Sequence, residues 1–384
     1  MMDVDTVLQQ VGQGGRQQVK YGVVLCLFKV YSAFHILQYN FVGRSTAFKC
    51  YTVNDTLTDQ CFENKVSSCT NLTFSESTIV ADWSLVCDRN WLGKATMSAL
   101  MFGFLSGALF LGKVADSFGR KSTLMLTLWG LIFSNLLSSN TGDLAVYFVS
   151  RFLVGFFVAG LAIAVAVLVS ELVGPAHRGM FGLATLVSFP LGIIALAFTA
   201  SFYRDWRQLC QFVSLLGLPF LLCHWYLVES PRWLLSQHRL EEAEAVLYTI
   251  ARGNGGHEKL EINLRPRSAA SENKPRTESV LNLFTGTRLC LVTVVLCYNW
   301  FVNGASYYGM TLAAGAMGSN IYTGTALSGA VELPAVLLAY YAIEHWGRRV
   351  AVVGFMTLSG IFSLLVQIFS SDILPSVGIT YNLK

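Results

Sequence analysis

Three charged residues stand out inside apolar runs of this 384-residue chain: Lys29, Arg151 and Glu332. A charge near the centre of a bilayer costs about 2.5–3.5 kcal/mol on insertion scales, so each is a functional candidate by default. A carboxylate at Glu332, in AVELPA, can hold a cation, and Pro334 two residues on is expected to break the helix and free carbonyls near a cavity. Lys29 and Arg151 can hold an anion; for Lys29 the simpler account is a side chain snorkelling to the membrane surface, and for Arg151 a structural pairing. A second pattern is a repeated turn. Asp116-x-x-Gly119-Arg120-Lys121 is matched by Glu344-x-x-Gly347-Arg348-Arg349: an acid, two residues, glycine, then two bases. Glycine permits a tight turn, and the charges can pair or cap neighbouring helix ends. Pairs of this kind hold one conformational state and break in another, so the pattern predicts a latch.

Other chemistry is missing from the sequence. It has no GxxxxGK[ST] nucleotide loop, and its six histidines show no metal-ligand spacing, which argues against an ATPase, a metal enzyme or a bound cofactor. A net charge of +4 is too small to indicate nucleic-acid binding. The chain is 53% hydrophobic and 13% charged, with a mean hydropathy of +0.51, which describes a protein of the lipid bilayer.

Nine apolar runs are long enough to cross a bilayer: roughly 21–42, 91–111, 122–139, 144–169, 179–202, 209–228, 289–312, 321–343 and 350–369. Lys and Arg decide their orientation. With the N-terminus in the cytoplasm, the inside segments gain Arg16, Lys20, Lys113, Arg120, Lys121, Arg178, Arg348, Arg349 and the bases of 229–288. The repeated turns then lie on the cytoplasmic side, six spans apart, in the manner of transporters built from two similar halves. Segment 43–90 lies outside. It holds Cys50, Cys61, Cys69 and Cys87, enough for two disulfides with three pairings open, and the glycosylation sequons at Asn54 and Asn71. The domain plan is a cytoplasmic N-terminus (1–20), a six-span bundle (21–228), a cytoplasmic linker (229–288) with an amphipathic helix over 239–251, three further spans (289–370) and a tail (371–384).

Several motifs give the chain a family likeness. The Asp116–Lys121 turn, Glu229-Ser230-Pro231-Arg232-Trp233 after span six, the run RFLVGFFVAGLAIAVAVLVSELVGPAHR from Arg151 to Arg178, STIVADWSLVCDRNWLGKA before span two, and Tyr298-Asn299-Trp300-Phe301 leading to Tyr307-Tyr308-Gly309 resemble the major facilitator superfamily. The resemblance is to its organic cation, carnitine and organic anion transporters. It implies an all-α polytopic membrane protein of the plasma membrane, with a complete N-terminal six-helix bundle and a partial C-terminal bundle. By the repeat, three spans of the second half are wanting, as in a truncated isoform or an incomplete gene model.

The resemblance also assigns roles. Glu171, Arg178, Glu229 and Arg232 join Asp116, Gly119, Arg120 and Lys121 in a cytoplasmic charge network, with Glu344, Gly347, Arg348 and Arg349 as its counterpart. Spans one and seven line the cavity, which makes Tyr31, Phe34, Tyr298, Trp300, Tyr307 and Tyr308 candidates for contact with an organic ion; one or two are expected to touch it and the rest to pack helices. His35 is a candidate proton-sensitive partner, with a satisfied buried histidine as the simpler account. Glu332 matches an acidic position of cation and carnitine carriers. The expected function is alternating-access transport of a small organic cation or zwitterion, with a coupled ion and an oligomeric state that the sequence leaves open. A regulatory chain that pairs with a full-length carrier, and an organic anion carrier using Lys29 and Arg151, are the alternatives.

Overall fold

Lipid offers backbone groups no hydrogen-bond partner, so the apolar runs fold as helices, and charged residues at their ends extend them beyond the apolar limits. The computed structural model describes residues 4–51, 57–58, 66, 69, 71–255, 284, 286–317 and 320–373. In chain order the helices are α1 (Val4–Val11), α2 (Arg16–Leu37), α3 (Tyr39–Val42), α4 (Ile79–Asp82), α5 (Asn90–Phe118), α6 (Arg120–Asn140), α7 (Leu144–Leu172), α8 (Arg178–Phe202), α9 (Trp206–Leu215), α10 (Leu218–Leu221), α11 (Cys223–Tyr226), α12 (Pro231–Ser236), α13 (Leu240–Gly253), α14 (Thr287–Met317), α15 (Ile321–Trp346) and α16 (Arg348–Ile373). Among the described residues nine candidate spans result, as expected.

Two spans depart from expectation. Span six is not one helix but the succession α9, α10 and α11, because Pro219 has no N–H to donate and the chain turns at Gly217. By contrast, α15 runs unbroken through Pro334, so the expected break beside Glu332 does not occur.

The chain forms two compact units, residues 1–331 and 332–384. In the first, α5 and α7 cross with their backbones almost touching. A Cβ at Gly103, Gly107 or Gly155 would overlap the carbonyl oxygen of Phe152, Phe156 or Leu100, so these glycines permit the contact. The bundle has an apolar core with a buried polar set inside it, and apolar side chains also cover its outer surface. Gln38, Asn135, Ser138 and Ser214 are buried, while Trp129, Phe133, Phe198 and Phe202 are exposed. Gln38 Nε2 donates to Asn135 Oδ1 (2.8 Å), and Asn135 Nδ2 donates to Cys210 O (2.9 Å) and Ser214 Oγ (2.8 Å), tying α6 to α9.

The segment between α3 and α4 adds a small sheet to the all-α plan. Strands β1 (Phe48–Tyr51), β2 (Leu57–Thr58) and β3 (Asn71–Phe74) are antiparallel in the order β2-β1-β3, with Cys50 opposite Leu72. Cys50 is bonded to Cys69, with Cα atoms 5.3 Å apart, which stitches β1 to the start of β3. Cys87 is also disulfide-bonded, and Cys61 lies outside the described residues. Asn71 is exposed on β3; Asn54 lies outside the described residues, as does 256–283 of the linker. The expected linker helix is α13, with Ala243, Leu247 and Ile250 buried on its apolar face.

Candidate functional site

The first repeated turn is the most densely connected polar region of the bundle. Gly119 ends α5 with φ +100°, a conformation that disfavours side chains, and α6 begins at the next residue. The first N–H groups of α6 have no partners within their helix. Glu229 supplies them: its Oε1 accepts from the backbone N–H of Arg120 (2.9 Å) and Lys121 (3.0 Å), placing a carboxylate at the positive end of the helix. Glu229 is held there by α12, where Pro231 occupies the first turn and Ser230 Oγ caps Trp233 N–H (3.2 Å). Trp233 Nε1 in turn donates to Asp116 O (2.7 Å).

Arg120 joins three helices. Its Nε and one terminal nitrogen bond both oxygens of Glu171 on α7 (3.1 and 3.3 Å), and it reaches Asp116 Oδ1 on α5 (3.1 Å) and Ala115 O (3.0 Å). Its side chain is 12% exposed and that of Glu171 is 16% exposed, so the fork-to-fork pair is well shielded from water. Asp116, Gly119, Arg120, Lys121, Glu171 and Glu229 thus lie together at this turn.

Arg178 and Arg232 belong to a second cluster that the sequence reading did not foresee. Both bond one oxygen of Asp5, on α1, rather than the acids around Arg120. Arg178 Nε also donates to Ser170 O (3.1 Å). Helix α1 is seated by Val4, Val7, Leu8 and Val11, all buried. Its following residues continue the attachment: Gln13 O accepts from Gly174 N–H (2.9 Å), and Asn254 at the end of α13 accepts from Gln17 N–H (2.9 Å) and donates to Val11 O (3.2 Å). The 4, 7, 8, 11 spacing was a helix signal available in the sequence.

In the second turn, Gly347 has φ +82° and separates α15 from α16. Glu344, Arg348 and Arg349 are exposed and form no ion pair among the described residues of 332–373.

The substrate candidates lie on α2, α14 and α15. Glu332 is half-buried in the middle of α15. Tyr298 and Trp300 on α14 are exposed, while Tyr307 and Tyr308 meet edge to face at 5.3 Å. Tyr31 is buried, stacked on Phe220 (5.4 Å) and set edge-on to His35 (4.6 Å). Lys29 is half-buried with its ammonium 5.7 Å from the centre of the Phe189 ring.

At the far end of the bundle, the segment preceding α5 forms a clasp. Asp82 Oδ2 accepts from Trp206 Nε1 (3.1 Å) and from Arg207 Nε and NH2 (3.2 and 3.0 Å), and Arg207 NH1 donates to Ser139 O (3.0 Å) and Thr141 O (2.7 Å). Trp83 packs on Tyr147 (5.0 Å) and Trp206 (5.6 Å).

This architecture has known counterparts. Residues 36–377 match the family described as "Sugar (and other) transporter". A "Solute carrier family 22 member 15-like" protein of Xenopus laevis is 32% identical over 382 residues, covering 98% of this chain and 77% of the relative. The chain belongs to solute carrier family 22. It is therefore of the major facilitator type, a family of membrane transporters rather than enzymes. An "Organic cation transporter protein" of Drosophila melanogaster is 29% identical, covering 96% of this chain and 75% of that one. "Solute carrier family 22 member 7" of Sus scrofa is 35% identical over 297 residues, which are 76% of this chain and 54% of the relative. The chain thus spans about half to three-quarters of the length of these solute carrier family 22 relatives. Among solved structures, a double-tryptophan mutant of the transporter XylE aligns with a TM-score of 0.58 at 18% identity, covering 86% of this chain and 70% of that one. A partially occluded, inward-open form of XylE from E. coli gives 0.52 at 18%, covering 85% and 73%. These likenesses establish the fold.

Proposed function

We propose that this solute carrier family 22 chain serves the movement of small organic cations or zwitterions, carnitine-like molecules among them, across the plasma membrane by alternating access. Its N-terminus, α1, α12 and α13 lie in the cytoplasm. The observation that carries the substrate class is Glu332, an acid half-buried at the middle of a 26-residue apolar helix, where a carboxylate is retained only for a cation or a polar partner. A relative named for organic cation transport supports the same reading.

In this reading Glu332 attracts the substrate cation. The network around Arg120 fastens the cytoplasmic ends of α5, α6, α7 and α12 and opens when the cavity turns inward. The sequence has no GxxxxGK[ST] nucleotide loop, and in this reading movement draws on the gradient of the substrate or of a coupled ion. Replacing Glu332 with Gln keeps size and hydrogen bonding but deletes the charge. Uptake of a labelled organic cation in cells should fall about tenfold, the equivalent of roughly 1.4 kcal/mol, with surface abundance unchanged. Undiminished uptake at equal surface abundance would overturn the role of Glu332.

A further inference from the structure

The interior of the N-terminal bundle holds a positive charge for which the described residues provide no negative partner. Arg151, two turns into α7, is 1% exposed, and its Nε and both terminal nitrogens have no hydrogen-bond acceptor among the described residues. A guanidinium removed from water is strongly disfavoured unless it is paired. The acids of the neighbouring segments are engaged elsewhere: Asp82 with Arg207 and Trp206, Asp143 as the cap of α7 on Ala145 N–H (2.9 Å), and Asp205 as the cap of α9 on Arg207 N–H (2.8 Å). None forms an ion pair with Arg151.

The groups around Arg151 are mostly donors, and they too are unfilled. Tyr147 lies one turn away on α7, with its ring 6.0 Å from the guanidinium carbon and its hydroxyl buried without a partner. His35 on α2 is fully buried with both ring nitrogens unpartnered, and Tyr31, in edge contact with His35 at 4.6 Å, has an unpartnered hydroxyl. Helices α2 and α7 pack directly against each other, which brings His35 and Arg151 into the same buried interior. Among the described residues the unfilled groups of this interior, the hydroxyls of Tyr31 and Tyr147, the His35 ring and Gln38 Oε1, include no carboxylate. A fixed cation with a hydroxyl and an imidazole as further donors is the composition of an anion site.

We propose that Arg151, with Tyr147 and His35, binds a small inorganic monoanion, of which chloride is the abundant example, inside the N-terminal bundle. The near-complete burial of all three residues favours a halide-sized ion over the larger molecule being transported. The bound anion neutralises Arg151 and ties α2 to α7, so it acts as a structural ion of the bundle. The site does not depend on Glu332 or on the transported substrate, and its test requires no transport.

The full chain, purified in detergent, is heated in buffers of equal ionic strength containing chloride, bromide or gluconate. A ligand that binds only the folded state raises the unfolding midpoint in a saturable way. The midpoint should rise by a few degrees with chloride and bromide but not with gluconate, and Arg151→Gln should abolish the difference. Tyr147→Phe, which keeps the ring and removes only the hydroxyl, should raise the chloride concentration for half-maximal effect about tenfold; this variant decides the matter if Arg151→Gln cannot be purified. Equal midpoints in chloride and gluconate, a chloride response retained in Arg151→Gln, or an unchanged half-maximal concentration in Tyr147→Phe would each overturn the proposal.

Discussion

The turns at Gly119 and Gly347 have the same backbone and opposite surroundings. Each glycine has positive φ, donates its N–H to the carbonyl four residues back (Ala115 at 3.2 Å, Ile343 at 3.1 Å), and accepts from the N–H four residues on (Thr123 and Ala351, both 3.2 Å). Around Gly119 a carboxylate caps the following helix, an arginine bridges three helices, and a Cβ would strike Glu229. Around Gly347 a Cβ would meet nothing within 4 Å, and the flanking charges are exposed. The six-residue pattern alone therefore specifies the bend; what makes the bend a fastening is the acid brought from elsewhere, Glu171 from α7 and Glu229 from before α12.

Substitutions made in parallel at the two turns put this difference to the test. Gly119→Val imposes backbone strain of about 1–3 kcal/mol in a positive-φ, extended conformation essentially confined to glycine and also displaces Glu229 from the start of α6, so little folded protein should be recovered. Gly347→Val carries the strain alone, and purified protein should show only a modestly lower unfolding midpoint. Equal losses would mean that the turn, and not its partners, sets the cost. Arg120→Gln leaves Glu171 shielded without its partner and should cost about 3 kcal/mol, whereas Arg348→Gln on an exposed surface should change stability by less than about 0.5 kcal/mol in thermal unfolding. The smallest measurable effect is expected at Asp5. Its pairs with Arg178 and Arg232 are about one-third exposed, so Asp5→Asn should cost about 1 kcal/mol or less and should show first as faster hydrogen exchange in α1. Unchanged exchange there would separate α1 from the charge cluster.

Some of this organisation is legible in the sequence because the physics is local. Apolar runs must be helical in lipid, and a glycine between an acid and two bases announces a turn wherever it falls. The alternation at Val4, Val7, Leu8 and Val11 was equally local, and α1 could have been recognised from it. Longer-range facts were not accessible. Nothing in the spacing of Cys50, Cys61, Cys69 and Cys87 selects the Cys50–Cys69 bond, and nothing near Arg178 announces that its partner is Asp5, 173 residues away. Pro219 and Pro334 show why proline is an uncertain guide: one coincides with a broken span and the other lies within a continuous helix, because neighbouring geometry decides whether a missing N–H ends the helix.

The most direct test of the account is uptake of a labelled organic cation and of carnitine, with and without sodium, in cells expressing this 384-residue chain, together with surface labelling. The account predicts saturable uptake of at least one of the two above control cells, reduced about tenfold in Glu332→Gln. Surface-labelled protein that takes up neither would contradict it.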